Sequence, residues 1–389
     1  MKLFTDTEKA RFVSRPNRFT VVCRLGTRRI KAYLPNPGRL RELLLPGAGL
    51  FLAGSTNPGR KMDRTVVAVE RDGRVIPLHT HRTNAVAEYL IGRGGVPGLE
   101  GAEVLKREVT VGRSRFDLLC KRGGKDILVE VKSCTLYGER VAMFPDAATL
   151  RGRRHMEELA ALSASGGARV RGAVLFVVYN PGLEYFLPDY HTDPAFAETF
   201  MAVRKRLLVL PVAVGVGADL TVDERARALD VPWDLLEREA RDRGSYLVIV
   251  RLERAASIAV GGLGRVAFKK GYYVYAGSAR RGLAKRVERH RRKRKKPFWH
   301  IDYLREAGVF HAALPIRTAD DIECALADGL GGFSTAVPGF GSSDCPCGSH
   351  LFHMSEDPLC SPSFHALLQR FRMDRLFGRS GPLKRPRCR

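Results

Sequence analysis

Ser114-Arg115-Phe116-Asp117-Leu118-Leu119-Cys120-Lys121-Arg122-Gly123-Gly124-Lys125-Asp126-Ile127-Leu128-Val129-Glu130-Val131-Lys132-Ser133 decides the fold of its part of the chain. Two apolar-rich runs flank Gly123-Gly124, a strong signal for a two-residue hairpin loop. With those glycines as the loop, facing positions sum to 247, which sets Asp117 directly opposite Glu130 on one face of the sheet. Lys132, two residues past Glu130, points to that face, while Val129 and Val131 point to the other.

Like charges side by side on a sheet are destabilising unless something compensates. A hard divalent cation does so, since it takes oxygen ligands from one or two carboxylates together with phosphate and water. Mg²⁺ or Mn²⁺ is therefore the expected cofactor, with Asp117 and Glu130 as ligands. Lys132 beside it would orient an attacking water or stabilise a phosphorane-like transition state. The plain alternative is an exposed strand face carrying a Glu–Lys pair.

Outward from the hairpin, the pattern divides the 389 residues into blocks. Residues 1–83 read as five short strands (19–24, 29–34, 50–53, 65–69, 75–78) broken by Gly and Pro, as in a small barrel. Residues 84–240 read as αβββαβαβ: a helix at 84–91, the hairpin and a preceding strand, a helix at 149–163 capped by Thr149, a buried strand at 173–179, a helix at 194–206 and a strand at 207–214. A polar helical stretch, 223–243, leads to a third block, 241–358, with strands at 244–250 and 271–277 and helices at 283–296 and 319–330. Residues 359–389 read as a basic, mobile tail. The fold class is a multidomain α+β and α/β chain.

Charge points to a polyanion. The chain carries 66 Lys and Arg against 41 Asp and Glu, a net +25. Residues 1–90 contribute +10, residues 91–240 are neutral and residues 241–389 contribute +15. Each cation that neutralises a phosphate releases a counterion, so DNA or RNA is the expected partner. Arg18, Arg24, Arg39 and Arg41 stud the barrel. Phe19 and Tyr33 between them read as core rather than as base-stacking platforms. Arg289-His290-Arg291-Arg292-Lys293-Arg294-Lys295-Lys296 is a second basic run. No apolar run approaches the ~20 residues of a membrane span, and residues 1–8 have no apolar signal region. Eight cysteines are too few for a disulfide scaffold. A cytoplasmic protein without membrane contact is expected; oligomeric state is not readable.

The carboxylates and lysine resemble the core of the PD-(D/E)XK nuclease fold. More specifically, residues 1 to about 220 resemble the sugar fermentation stimulation protein (SfsA) family. The stretches that carry the resemblance are Asn17-Arg18-Phe19, Leu34-Pro35-Asn36-Pro37-Gly38-Arg39-Leu40, Ser114 to Asp117, Glu130 to Ser133 and Phe144-Pro145-Asp146-Ala147-Ala148-Thr149-Leu150-Arg151-Gly152. The resemblance implies an OB-fold-like barrel joined to a nuclease-like domain, with DNA binding and metal-dependent nuclease chemistry. Thr83-Asn84 stands where the family usually has Pro-Asn, a change expected to affect a helix start rather than the chemistry. Arg151 and His155, four apart, share a helical face that could aim at phosphate. Glu88 is a further ligand candidate, although a solvated helix face is the preferred reading.

Residues 244–357 resemble a divergent branch of the GIY-YIG nuclease superfamily. Gly244-Ser245-Tyr246 stands for the first motif and Tyr275-Ala276-Gly277 for the second. Leu283, Arg286 and His290 share a helical face, and Glu323 would be a metal carboxylate. Two further signatures of the branch are residues 299–304 and 339–347. The resemblance implies that tyrosine works on water (Tyr246, Tyr275), Arg286 holds phosphate and Glu323 binds Mg²⁺. The tyrosine motifs are farther apart than usual, so binding is the safer expectation here. Cys345-x-Cys347-x2-His350-x2-His353 has zinc-ligand types, but its first spacing is short for a structural site. Zinc is not expected there. Gly261-Gly262-Leu263-Gly264 reads as a turn. The expected function is a Mg²⁺-dependent phosphodiesterase acting on DNA or RNA. The alternative is a DNA-binding transcriptional modulator that keeps a nuclease-derived fold without catalysis.

Overall fold

In the computed structural model, residues 1–55, 59, 62–112, 114–165 and 169–377 are described. Strands β1 (Glu8–Asn17), β2 (Thr20–Leu25), β3 (Arg28–Tyr33), β4 (Gly49–Gly54), β5 (Arg64–Arg71) and β6 (Arg74–Pro77) form one sheet in the order β3-β2-β1-β4-β5-β6. A parallel contact, Tyr33 with Thr65, joins β3 to β5 and curls the sheet into a barrel. The five-strand expectation misses β1, whose apolar signal is weak. Only Ala10 and Phe12 face the core, alternating with exposed Lys9, Arg11 and Val13.

Behind the barrel, α1 (Thr80–Gly92) precedes β7 (Glu103–Val111), β8 (Ser114–Arg122) and β9 (Lys125–Cys134). A small sheet holds β10 (Leu136–Tyr137), β11 (Val141–Phe144) and β13 (Tyr185–Pro188). The main sheet runs β15-β14-β12-β9-β8-β7, with β12 (Val170–Val178), β14 (Leu207–Ala213) and β15 (Arg227–Ala228) added to the hairpin. β9, β12 and β14 are parallel, which requires the crossovers α2 (Leu150–Ser165) and α3 (Pro194–Val203). The αβββαβαβ order therefore holds for the main sheet and its helices, and the expectation misses the small sheet β10-β11-β13 and the edge strand β15. Helix α2 starts where Thr149 Oγ1 accepts the Gly152 N–H at 3.0 Å, and it buries Gly152, His155, Met156, Leu159 and Ala160 along one stripe. The barrel's 34–40 loop is fastened by Arg15, whose guanidinium donates to the carbonyls of Arg18, Asn36, Gly38 and Arg39 at 2.6–3.0 Å. Its Leu40 N–H reaches Asp146 Oδ2 at 3.0 Å. The two signature loops thus meet.

Residues Met1–Pro232 form one compact unit and Trp233–Arg389 a second. The helical expectation over 223–243 shrinks to α4 (Trp233–Glu239), which belongs to the second unit. Its Glu239 is buried and pairs with Arg375. The second unit also contains β16 (Gly244–Leu252), β17 (Ala256–Ala259), β18 (Arg265–Phe268), β19 (Gly271–Ala279), α5 (Leu283–Arg291), α6 (His300–Ala307), β20 (Val309–Arg317), α7 (Glu323–Gly331), β21 (Thr335–Ala336), β22 (Leu351–Met354) and α8 (Pro362–Arg372). Its five-stranded sheet runs β20-β16-β19-β22-β21. Alternation along β16 sends Tyr246, Val248 and Val250 to the α5 and α6 side, and Leu247 and Ile249 to the α7 and α8 side.

Two expectations fail here. The basic helix ends at Arg291 rather than at residue 296, and Arg292 is already extended. The tail reading fails for residues 359–377: Ser361 caps α8, Pro362 opens it, and Phe364, Leu367, Leu368 and Phe371 pack into the core. That 3.6-residue spacing is present in the sequence but masked by its arginines. Residues 378–389 of the expected tail lie outside the described residues.

Candidate functional site: two clusters of nuclease-like residues

Gly123 and Gly124 take φ of +53° and +77°, the left-handed pair that a tight two-residue hairpin turn needs. From there the ladder runs Arg122↔Lys125 up to Leu118↔Val129, every pair summing to 247. Asp117 and Glu130 come next along the two strands. Asp117 turns its carboxylate onto the backbone: Oδ2 accepts the Val131 N–H at 2.8 Å, and Oδ1 accepts Asn84 Nδ2–H at 2.8 Å. Burial, and then the charge of Glu130, push the Asp117 carboxyl above its ordinary range.

Glu130 is nearly inaccessible, at 3% exposure. Lys132 Nζ donates to its Oε1 at 2.5 Å, and His155 Nδ1 lies 2.6 Å from the same oxygen. Burial alone would raise this carboxyl; the hydrogen bonds and charges of His155 and Lys132 outweigh it and hold Glu130 below the ordinary value. Its Oε2 is buried and has no hydrogen-bond partner among the described residues. Arg151 Nε approaches His155 Nε2 at 3.4 Å, so Arg151, His155 and Glu130 form a line from helix α2 to strand β9. Glu88 is elsewhere engaged, in an ion pair with Arg107.

In the second unit, Tyr246 pairs across the ladder with Gly277. A Cβ on Gly277 would lie 2.5 Å from the Tyr246 hydroxyl, so only glycine lets the ring lie there. That hydroxyl is 2.9 Å from His290 Nε2 and also bonds Arg286. Burial pushes both the Tyr246 and Tyr275 phenols up, and burial drives His290 down to about 3. Burial thus favours the neutral imidazole, which shares a hydrogen bond with the Tyr246 hydroxyl. Glu323 accepts from Ser278 Oγ–H and lies 3.1 Å from His350 Nδ1. Its charge acts on both tyrosines. The unit thus brings Tyr246, Tyr275, Arg286 and Glu323 together.

Residues 13–78 match the SfsA N-terminal OB domain, and residues 81–219 the sugar fermentation stimulation protein RE domain. A sugar fermentation stimulation protein homolog of Methanothermobacter thermautotrophicus is 39% identical over 48% of this chain and 76% of its own length. One from Chloroflexus aurantiacus is 35% identical over 58% of this chain and 89% of its own. The chain belongs to the sugar fermentation stimulation protein family. The solved structure of Pyrococcus furiosus SfsA, described as a complex with Ca²⁺, superposes with a TM-score of 0.54 at 29% identity, covering 59% of this chain and 99% of that one. Residues 245–373 match DUF123, a domain of unknown function that is GIY-YIG-like. This chain is thus an SfsA protein, with its OB barrel and nuclease-like domain, extended by a GIY-YIG-like domain.

Several residues of this SfsA chain depart from their expected roles. Asn84, expected to matter only for a helix start, lies inside α1 and holds Asp117. Its partner is 33 residues away, and only the fold joins them. Helical spacing places His155 on the right face, but its bond to Glu130 needs the crossover geometry. Phe19 is not core: it is 42% exposed and stacks on Tyr33 with ring centroids 6.4 Å apart. Arg18 lies over the Phe19 ring, and Arg18, Arg24 and Arg39 are exposed while Arg41 is half-buried. In the basic run, Arg289 and Lys295 turn inward to buried Asp302, at 2.9 and 2.8 Å. That removes both from any phosphate surface. Arg291, Arg292, Lys293, Arg294 and Lys296 remain exposed.

Proposed function

We propose that this SfsA protein is a divalent-metal-dependent nuclease that hydrolyses phosphodiester bonds of DNA or RNA at Asp117, Glu130 and Lys132. One observation carries the reading: two carboxylates from adjacent strands converge beside a lysine, and one buried carboxylate oxygen, Glu130 Oε2, is left without a partner among the described residues. An orphaned buried oxygen costs stability unless something takes it up. An all-oxygen donor pair fits a hard cation such as Mg²⁺ or Mn²⁺, and the Ca²⁺ complex of the Pyrococcus furiosus relative supports that donor chemistry. When bound, such an ion would polarise phosphate and lower the pKa of water.

The chain's own residues supply the rest. Asn84 and the Val131 N–H orient the Asp117 carboxylate. His155 and Lys132 keep Glu130 ionised. The Lys132 ammonium is placed to orient water, and Arg151, at the outer end of the His155 line, to hold a phosphate oxygen. The exposed arginines of the barrel and of residues 291–296 would track the backbone of the nucleic acid. In the second unit, Tyr246, Tyr275, Arg286 and Glu323 form a second phosphodiester-binding cluster.

The test is incubation of the purified full chain with labelled single- and double-stranded DNA and RNA in Mg²⁺, Mn²⁺ or EDTA. Metal-dependent cleavage that Glu130→Gln abolishes and that Tyr246→Phe and Arg286→Ala largely spare supports the hairpin site. The reverse pattern moves the chemistry to the second unit. Binding without cleavage by any metal leaves the transcriptional-modulator reading in its place.

A further inference from the structure

Cys324, Cys345, Cys347 and His350 each present one ligand atom, and all four atoms lie within 4.8 Å of one another. Cys324 comes from the first turn of α7 and the other three from the loop that enters β22. The sequence spacing Cys-x-Cys-x2-His offers three of these ligands, and the fold, not the spacing, supplies the fourth. His353, the fourth ligand of the sequence pattern, is excluded: it sits in β22 opposite Tyr273 and bonds the Lys270 carbonyl at 3.1 Å.

We propose that these four side chains form a structural Zn²⁺ site. Three thiolates and one imidazole are a closed tetrahedral donor set for zinc, with Zn–S about 2.3 Å and Zn–N about 2.0–2.1 Å. Tetrahedral geometry with those lengths asks for ligand–ligand separations of ~3.5–3.8 Å. Cys345 Sγ and His350 Nε2 already stand 3.3 Å apart. The other pairs stand no more than 4.8 Å apart, so closing the set asks each to shorten by roughly 1 Å at most. His350 is itself nearly fully buried, and its other nitrogen, Nδ1, lies 3.1 Å from Glu323 Oε1. A metal-bound histidine characteristically gives its second N–H to a carboxylate, which fixes the tautomer and aims the free nitrogen at the ion. Here that leaves Nε2 on the side of Cys345.

The backbone around the loop is built to hold the ligands still. The His350 N–H reaches the Phe340 carbonyl at 2.7 Å, the His350 carbonyl accepts the Ala276 N–H at 2.9 Å, and Gly339 N–H closes on the Gly348 carbonyl at 2.8 Å. Gly341 takes φ of +72° and runs so near Tyr275 that a Cβ would lie 2.8 Å from its ring. Zinc would therefore pin one loop both to helix α7 and to the ring of Tyr275, and through His350 it would fix the carboxylate of Glu323. Glu323 then acts as the orienting partner of a zinc ligand, which adds to the metal-carboxylate role the GIY-YIG resemblance gives it. The site stands whether or not the hairpin cuts nucleic acid.

The test uses the full chain purified under reducing conditions without a metal-binding tag. Elemental analysis is expected to find one zinc per chain, and exchange for Co²⁺ to give the sulfur-to-cobalt charge-transfer and intense visible bands of a tetrahedral thiolate site. Cys345→Ser and Cys347→Ser should reduce zinc to background, while His353→Ala keeps it. Wild-type protein that carries no zinc and gives no tetrahedral cobalt spectrum overturns the proposal without recourse to any variant. So does full zinc retention in both serine variants, loss of zinc in His353→Ala, or a disulfide among these cysteines in the purified protein.

Discussion

Glu130 and His155 meet across the strand–helix boundary, with Nδ1 2.6 Å from Oε1 and both side chains nearly buried. The contact is local in space and 25 residues apart in sequence. It needs the Nδ1–H tautomer, which leaves Nε2 to accept from Arg151. A helix residue thereby joins Lys132 in favouring the charged form of a buried strand carboxylate.

Removing that donor should shift the acid limb of the hairpin site. In His155→Ala the burial of Glu130 is offset by Lys132 alone, so its carboxyl rises. The lost hydrogen bond favoured the charged form, so the acid limit of metal binding moves upward. Mg²⁺ affinity, measured by calorimetry between pH 5 and 8, should therefore fall in the variant at pH values where the parent still binds. Superimposable profiles would show that His155 only fills space.

Asp117→Asn separates the electrostatic role from the structural one. The amide can still accept the Val131 N–H, and Asn84 can turn its own oxygen toward the new NH₂ group. A carboxyl whose folded pKa lies above its ordinary 3.8 favours the fold at low pH and loses that contribution as pH rises through the raised value. At neutral pH the charged Asp117 therefore costs stability. The variant should melt at or slightly above the parent's temperature without metal, and should lose the stabilisation that Mg²⁺ gives the parent. Lys132→Ala should keep the Mg²⁺ stabilisation and lose cleavage rate. If Asp117→Asn still gains from Mg²⁺ as the parent does, the carboxylate pair is not the metal site.

The basic run divides into two kinds of residue, and salt dependence tells them apart. Replacing Arg291, Arg292, Lys293, Arg294 and Lys296 by Ala should weaken binding to unrelated sequences alike. The slope of log affinity against log salt should flatten by about 0.9 for each phosphate that is no longer neutralised. Arg289→Ala should act differently, because it strips a partner from buried Asp302. Its expected effect is a lower melting temperature of the second unit. An unchanged salt slope in the five-residue variant would mean that those cations are merely solvated.

Much of this was legible because strands announce themselves by alternation and Gly-Gly fixes register. The ladder sum of 247 is readable from Gly123 and Gly124 alone. Contacts made through the third dimension are not: Asn84 bonded to Asp117, His155 to Glu130, and Cys324 brought beside His350 link elements that carry no mark of one another in sequence. Charge also misleads. The arginines of α8 hide an apolar stripe, and the run at 289–296 looks uniform although Asp302 claims two of its members. Phe19 reads as core because an aromatic in a strand normally is. It sits instead at the edge of β2, where Arg18 and Tyr33 frame it on the surface.

His290 should make the second unit sensitive to mild acid. Burial pushes its pKa from 6.5 down to about 3, with the charges of Lys295, Arg289 and Arg286 acting in the same direction and Asp302 opposing them. A depressed folded pKa means that its contribution to stability is complete above pH 6.5 and drains away as pH falls toward 3, by at most about 1.4 kcal/mol per pH unit. Both tryptophans, Trp233 and Trp299, belong to this unit, so their fluorescence reports its unfolding alone. Trp299 packs 5.5 Å from the His290 ring. Denaturant titrations at pH 7.5, 6.5, 5.5 and 5.0 should show a stability that declines below pH 6.5, before ordinary carboxylates begin to titrate. His290→Gln offers Tyr246 an acceptor that cannot be protonated in this range. It should start from a lower stability at pH 7.5 and decline less between pH 6.5 and 5.0. If parent and variant decline in parallel, the acid sensitivity belongs to other groups, and His290 is not the neutral imidazole that its burial favours.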